Sequence, residues 1–157
     1  MTAPAPEPGD AVQLSLFTDY ALRVLILAAL NAERRTTIDE TATRYGISKD
    51  HVRKVVHQLS KLGFIEATRG HGGGFRLRTP PETIRLGDVV RGTESGFALA
   101  ECLRLDATSG CPLDGACRLT GILRGAADAF LAELDRHTLA EIVANRPALL
   151  ERLTAAA

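Results

Sequence analysis

The sequence predicts a mainly α fold with a small β-hairpin, arranged as a winged helix-turn-helix followed by a long helix. Three observations carry this expectation. Two capped helices meet at a glycine turn between residues 37 and 62. A glycine run flanked by arginines joins two short extended segments between 64 and 78, and apolar residues recur at helical spacing beyond residue 117.

Taken in order, Ser15 to Asn31 places Leu16, Tyr20, Val24, Leu27 and Ala28 at helical spacing. Thr37-Ile-Asp-Glu40 is a capping box: the Thr hydroxyl accepts the third helical N–H while Glu40 reaches back. The helix it opens ends at Tyr45-Gly46, where glycine supplies a left-handed residue. Ser48 caps a third helix, and Asp50 suits its positive end. That helix buries Val52, Val55, Val56, Leu59 and Leu62 and stops at Gly63.

Phe64 to Arg69 and Phe75 to Arg78 are the arms of a hairpin, with Gly70-His-Gly-Gly-Gly74 as its tip and Pro80-Pro81 closing it. Ile84 to Arg91 is a short helix, Phe97 to Leu105 reads as helical or extended, and 106–117 is a loop by composition. From Arg118 a long helix aligns Leu119, Ile122, Leu123, Ala126, Phe130 and Leu134. Thr138 to Val143 is a last short helix, broken by Arg146-Pro147.

Hydrophobic residues at 45% and charged residues at 24% provide for a globular core and rule out wholesale disorder. With no Trp and few aromatics, the core falls to Leu, Val, Ile and Ala. Residues 1–10 contain three prolines and no basic or apolar stretch, so they read as a disordered tail rather than a signal peptide. The longest apolar run, Val24 to Leu30, falls far short of the roughly 20 residues that cross a bilayer. A cytoplasmic location with no membrane partner is expected.

Nineteen Lys/Arg balance nineteen Asp/Glu, which at first sight argues against nucleic acid. Resolved along the chain, residues 11–80 carry eleven basic and six acidic side chains, while 81–157 carry eight and eleven. A basic half is joined to an acidic one, the pattern of a polyanion-binding module followed by something with another task.

The exposed face of the third helix carries Lys49, Asp50, Arg53, Lys54, His57 and Lys61 opposite its apolar stripe, with Ser48 and His51 in its first turn. A helix entering the major groove needs this division, with apolar residues anchoring it and donors facing phosphates and base edges. The hairpin adds Arg69, His71, Arg76 and Arg78. Arginines beside a glycine tip suit a wing, which can place Arg in a narrow minor groove. Any one charged helix face is most simply a solvated surface. The ordered combination of capped helix, glycine turn, basic helix and arginine-flanked wing points to double-stranded DNA. A phosphate-loop reading of Gly70–Gly74 fails, because no Lys-Ser/Thr follows and no helix opens there.

Cys102, Cys111 and Cys117 are the only cysteines, separated by eight and five residues. Their odd number and clustering argue against a disulfide framework. Structural zinc wants paired Cys spacing and four ligands. A thiol switch needs two thiols, and an iron–sulfur cluster tolerates one non-Cys ligand. Cluster, redox thiols, zinc and plain structural cysteines all stay open on chemistry alone. Cys117 falls at the start of the long helix, where the dipole favours a thiolate. No Cys-His pairing supports a nucleophilic enzyme.

Several stretches together resemble the NsrR/IscR-type family of iron–sulfur winged-helix transcriptional repressors. They are Leu16-Phe-Thr-Asp-Tyr-Ala-Leu-Arg23, the Ser48–Leu62 helix with Gly63-Phe64-Ile65, Arg69-Gly-His-Gly-Gly-Gly74, the three cysteines and Phe130–Leu139. The likeness spans roughly residues 13–145 and lies nearest the nitric-oxide-sensing branch. It implies a homodimer joined through the long helix, with operator binding controlled by a cluster held by Cys102, Cys111 and Cys117. It also implies a fourth ligand, Asp19 from the partner subunit, with Arg23 one turn on coupling its release. On these grounds a 4Fe-4S cluster is expected, with 2Fe-2S as the alternative, and nitric oxide as the signal. A redox or iron–sulfur-status sensor with a 2Fe-2S cluster is the alternative function. The surface alternative for Asp19 is an exposed i,i+4 pair with Arg23. The chain departs from the family twice: Thr120 stands where an IscR-like His would, and the gap between Cys102 and Cys111 is longer than usual.

The expected organisation is therefore a tail (1–12), a winged helix-turn-helix (13–80), a connector and cluster loop (81–117), a dimerisation helix with a terminal helix (118–146), and a tail (147–157).

Overall fold

The computed structural model describes residues 13–96, 98–103 and 111–155; the expected tail 1–12, Phe97, residues 104–110 of the cysteine loop and the last two residues lie outside. The order is α1 (Leu16–Leu30), α2 (Ile38–Tyr45), α3 (Lys49–Lys61), β1 (Ile65–Thr68), β2 (Gly74–Leu77), α4 (Leu86–Thr93), α5 (Arg118–Leu134), α6 (Leu139–Ile142) and α7 (Arg146–Ala155). Single 3-10 turns precede α4 and α5, at Pro81–Thr83 and Glu101–Leu103. The second settles part of the ambiguous Phe97–Leu105 stretch as helical in kind.

Local chemistry sets the first three helices. Ser15 caps α1 by accepting from the Thr18 N–H, Thr37 caps α2 through the Glu40 N–H, and Ser48 caps α3 through the His51 N–H. Gly46 ends α2 with φ of 63°, the left-handed geometry an L side chain resists. Only half of the expected capping box forms. Glu40 turns away to accept from Arg34 at 2.7 and 2.9 Å and from Arg44 at 3.1 Å, and the Arg34 guanidinium holds its carboxyl below the usual range.

The core forms where three helices and the hairpin meet. Ala21, Val24, Leu25 and Ala28 of α1 pack against Val52, Val55, Val56 and Leu59 of α3, closed by Ile65, Phe75, Ile84, Val89 and Leu139. Aliphatic residues dominate as expected, yet the largest fully buried side chain is Phe75 on the wing. Two residues expected inside are not. Leu62 is 39% exposed beyond the end of α3, and Leu16 is 70% exposed at the start of α1.

β1 and β2 pair antiparallel, with Glu66 opposite Arg76 and Ala67 opposite Phe75. Phe75 also exchanges both backbone hydrogen bonds with Thr36, at 2.8 Å each, which fastens the wing to the α1–α2 connection. Gly74 makes that approach possible: a Cβ there would stand 2.6 Å from the Thr36 carbonyl oxygen.

The C-terminal end of α5 is locked to α4. The Arg91 guanidinium donates two bonds to Asp135, at 2.7 and 2.5 Å, and the Leu139 N–H reaches the Ile84 carbonyl at 2.9 Å. Beyond Arg146-Pro147 the expected tail is instead α7, with Pro147 in its first turn, where its missing N–H costs no helical bond.

Candidate nucleic-acid interface and cysteine loop

The basic face of α3 and the inner face of the wing enclose an open groove of about 880 Å³. Arg53, Lys54, His57 and Ser60 line it from α3, Thr68, Arg69 and Gly70 from the hairpin, and Asp39 from α2. The groove therefore gathers four of the predicted DNA-facing residues, Arg53, Lys54, His57 and Arg69, from two elements.

Ser48 serves as the α3 cap, so its hydroxyl is already engaged with the His51 N–H at 3.3 Å. Several cations carry partners that sequence spacing alone did not announce. Lys49 pairs with Asp39 at 3.0 Å and Arg53 with Asp50 at 2.6 Å. Arg76 pairs with Glu66 at 2.5 Å, and Arg35 approaches the same carboxylate at 3.3 Å. The Arg76 guanidinium first, and Arg35 after it, holds the Glu66 carboxyl below its usual range. Among the described residues Lys54, His57 and Arg69 have no such carboxylate partner. His71 is exposed at the wing tip.

Asp39, Glu66 and Arg35 are thus the electrostatic neighbours that sequence reasoning missed. Asp39 was visible only as a helix-start acid. The Arg35–Glu66 approach spans 31 residues, which no local periodicity reports.

The start of α1 faces this module. Asp19 and Arg23 form an i,i+4 ion pair at 2.8 Å, each side chain about two-fifths exposed. Arg23 also lies over the Tyr45 ring, 5.8 Å from its centroid, and burial pushes the Tyr45 hydroxyl up to about 12. The next residue along, Tyr20, stacks at 5.9 Å on His51 in the first turn of α3. The residues beside Asp19 therefore touch both helices of the helix-turn-helix.

All three cysteines are free thiols. Cys102 lies in the 3-10 turn before the loop, with its Sγ 3.9 Å from the Thr120 hydroxyl on α5. Cys117 is the N-cap residue of α5, as its position in the sequence implied, and Cys111 is exposed. Three thiols and a carboxylate fit an iron–sulfur cluster in donor type. Among the described residues, however, no three His, Cys, Asp or Glu side chains converge on one metal position.

α5 shows two faces. Ala127 is buried, with Leu123, Leu131 and Leu134 half-buried beside it. Leu119 and Ile122 are 54% and 67% exposed, with Ala126 and Phe130 also exposed. The apolar stripe expected to be continuous is split, part toward the chain's own core and part outward.

A helix-turn-helix with a wing stitched to it and a basic groove between them defines a winged-helix transcriptional regulator. The chain belongs to the Rrf2 family, described as iron-dependent transcriptional regulators, whose pattern it matches over residues 14–145. It is 44% identical over 139 residues to the HTH-type transcriptional regulator NsrR of Geobacillus kaustophilus, covering 88% of this chain and 94% of that protein. It is 42% identical over 144 residues to NsrR of Bacillus subtilis, covering 90% and 97%. The fold resembles T. potens IscR, with TM-score 0.66 and 21% identity over 87% of this chain and 90% of that one. It also resembles Staphylococcus aureus CymR, with TM-score 0.61 and 27% identity over 80% and 93%. Among the described residues no helix is long and apolar enough to cross a membrane.

Proposed function

We propose that this chain is a cytoplasmic, homodimeric iron–sulfur repressor that holds a palindromic operator and lets it go when nitric oxide arrives. One observation carries the reading: near-full-length likeness to proteins named NsrR coincides with three free thiols preceding α5, the last of them its N-cap residue. Cys102, Cys111 and Cys117, with Asp19 of the partner subunit, are the ligands that would hold the cluster, 4Fe-4S being favoured over 2Fe-2S. When bound, the cluster supplies soft iron that nitric oxide attacks.

The chain's own residues do the rest. Arg53, Lys54, His57 and Arg69 meet phosphates or base edges from the groove, joined by Ser48, Lys49 and His51 of the start of α3 and by His71 and Arg76 of the wing. Lys49, Arg53 and Arg76 must exchange their carboxylate partners for DNA, so Asp39, Asp50 and Glu66 oppose loose, non-specific binding. Leu119 and Ile122 are the apolar surface on which a second α5 packs. Arg23, between Asp19 and Tyr45, ties the ligand carboxylate to the end of α2.

The test is anaerobic purification, native mass spectrometry and titration of an operator duplex selected from a random library. Four irons per chain and an operator affinity that collapses on adding nitric oxide are expected. An affinity indifferent to nitric oxide overturns the sensor reading, and two irons per chain turn it toward redox or iron–sulfur status.

A further inference from the structure

The last turn of α4 precedes the segment carrying Cys102, and two parts of the fold, α1 and α3, converge on it. From α1, the Thr18 hydroxyl lies 2.9 Å from that of Thr93, both residues being buried. Thr93 donates to the Val89 carbonyl at 2.8 Å, which leaves its oxygen able to accept from Thr18. Thr18 in turn accepts from the Ser15 hydroxyl at 3.2 Å. Each hydroxyl then donates once, and the two buried ones, Thr18 and Thr93, are both satisfied, with the exposed Ser15 at the end of the line. One residue on, the Glu94 carboxylate accepts the Ser15 N–H at 2.9 Å.

From α3, the Gln58 side-chain amide donates to the Gly92 carbonyl at 3.2 Å. The Leu62 side chain lies so close over Gly92 that a Cβ there would meet it at 2.7 Å. This accounts for a half-exposed leucine where the periodicity called for a core residue. One helical turn, Gly92–Glu94, thereby holds the residue preceding Asp19 on one side and the helix facing DNA on the other.

We propose that the Thr18–Thr93 hydroxyl pair and Gln58 are positioning residues that make this turn of α4 the junction through which the cysteine loop sets α3 against DNA. The inference rests on the loop-controlled binding argued above. None of the three lines the basic groove, and among the described residues none is hydrogen-bonded to a cysteine. They transmit placement: a displacement of the loop pulls on Gly92–Glu94, and through Gln58 and Leu62 it tilts α3, while Thr18 keeps Asp19 in register with the same turn.

The test uses the full-length protein and the selected operator duplex. T93V, which keeps shape but removes the hydroxyl, should leave iron content in place. It should shrink the ratio of operator affinities between cluster-loaded and chelator-stripped protein by about tenfold. T93S should restore that ratio, and Q58L should shrink it from the α3 side. A ratio untouched by both T93V and Q58L overturns the proposal.

Hydrogen exchange on stripped protein provides a readout that needs no cluster. T93V should speed exchange in the first turn of α1 and also in the second half of α3. Unchanged protection in α3 overturns the proposal. If the wild-type protein showed no dependence on loading, the loop-control reading would fail, and the exchange pattern would still decide whether the junction couples these helices.

Discussion

The N-terminal module and the α5 region follow different rules of construction. In the first, α1, α3, the wing and α4 close around side chains with almost no exposure, such as Val24, Leu25, Val52, Leu59 and Phe75. In the second, a 17-residue helix buries one residue, Ala127, and leaves Leu119 and Ile122 open. The first is complete as a single chain. The second is anchored at its C-terminal end by Arg91–Asp135 and by Leu139, while its N-terminal end starts from Cys117. Such an unfinished region suits the sensing role proposed above, since only an element with alternatives can respond.

The sharpest break of this contrast is in the finished half. Phe75→Ala should cost about 3–5 kcal/mol, because it empties the centre of the core and loosens the wing; urea unfolding measures it, and a loss under about 1 kcal/mol would contradict the packing. In the unfinished half, Ile122→Asp should leave helical content unchanged while weakening self-association by about tenfold or more. Sedimentation equilibrium reads this, and an unaffected assembly places the interface elsewhere.

A smaller effect is expected at the α2 cap. Thr37→Ala should lower stability by about 1 kcal/mol, since only the Thr half of the capping box is made. The smallest lies at the α5–α6 joint. Glu141 first, and Glu133 after it, raise the His137 pKa above its ordinary 6.5. A raised folded-state pKa means this contribution is full below 6.5 and fades as pH climbs through the raised value. Thermal melts of wild type and His137→Gln should therefore differ most in mildly acid solution, where His137 is charged and Glu141 still ionised, and converge toward alkaline pH and again once Glu141 is protonated, by a small margin because the groups are exposed.

The same contrast governs what could be read in advance. Caps and periodicity are local, so Ser15, Thr37, Gly46 and Ser48 marked the first three helices to within a residue or so. The glycine run marked the wing, although Gly74 owes its presence to Thr36 as much as to any nucleic acid. What failed depends on how side chains are placed rather than on spacing. Glu40 prefers Arg34, Leu62 serves Gly92, and basic residues of α3 and the wing have acidic partners on α2, on α3 itself and on β1. The proline at 147 looked like a terminator, but a helix start tolerates it equally well.

For the site, sequence reasoning picked out Arg53, Lys54, His57 and Arg69, which the fold brings to one groove, and located Cys117 at the start of α5. It had no means of seeing Tyr20 against His51 or the hydroxyl chain through Thr93, because both depend on how helices cross.

The backbone stitch between Thr36 and Phe75 has a mechanical corollary. With its strand fastened to the α1–α2 connection and its phenyl ring sunk among α1 and α3, the wing has no swivel of its own. The two contact points that one protomer offers a duplex are then like the jaws of a caliper locked at one width. On the function proposed above, affinity would change as α3 and the wing fastened beside it tilt together, not as that width opens.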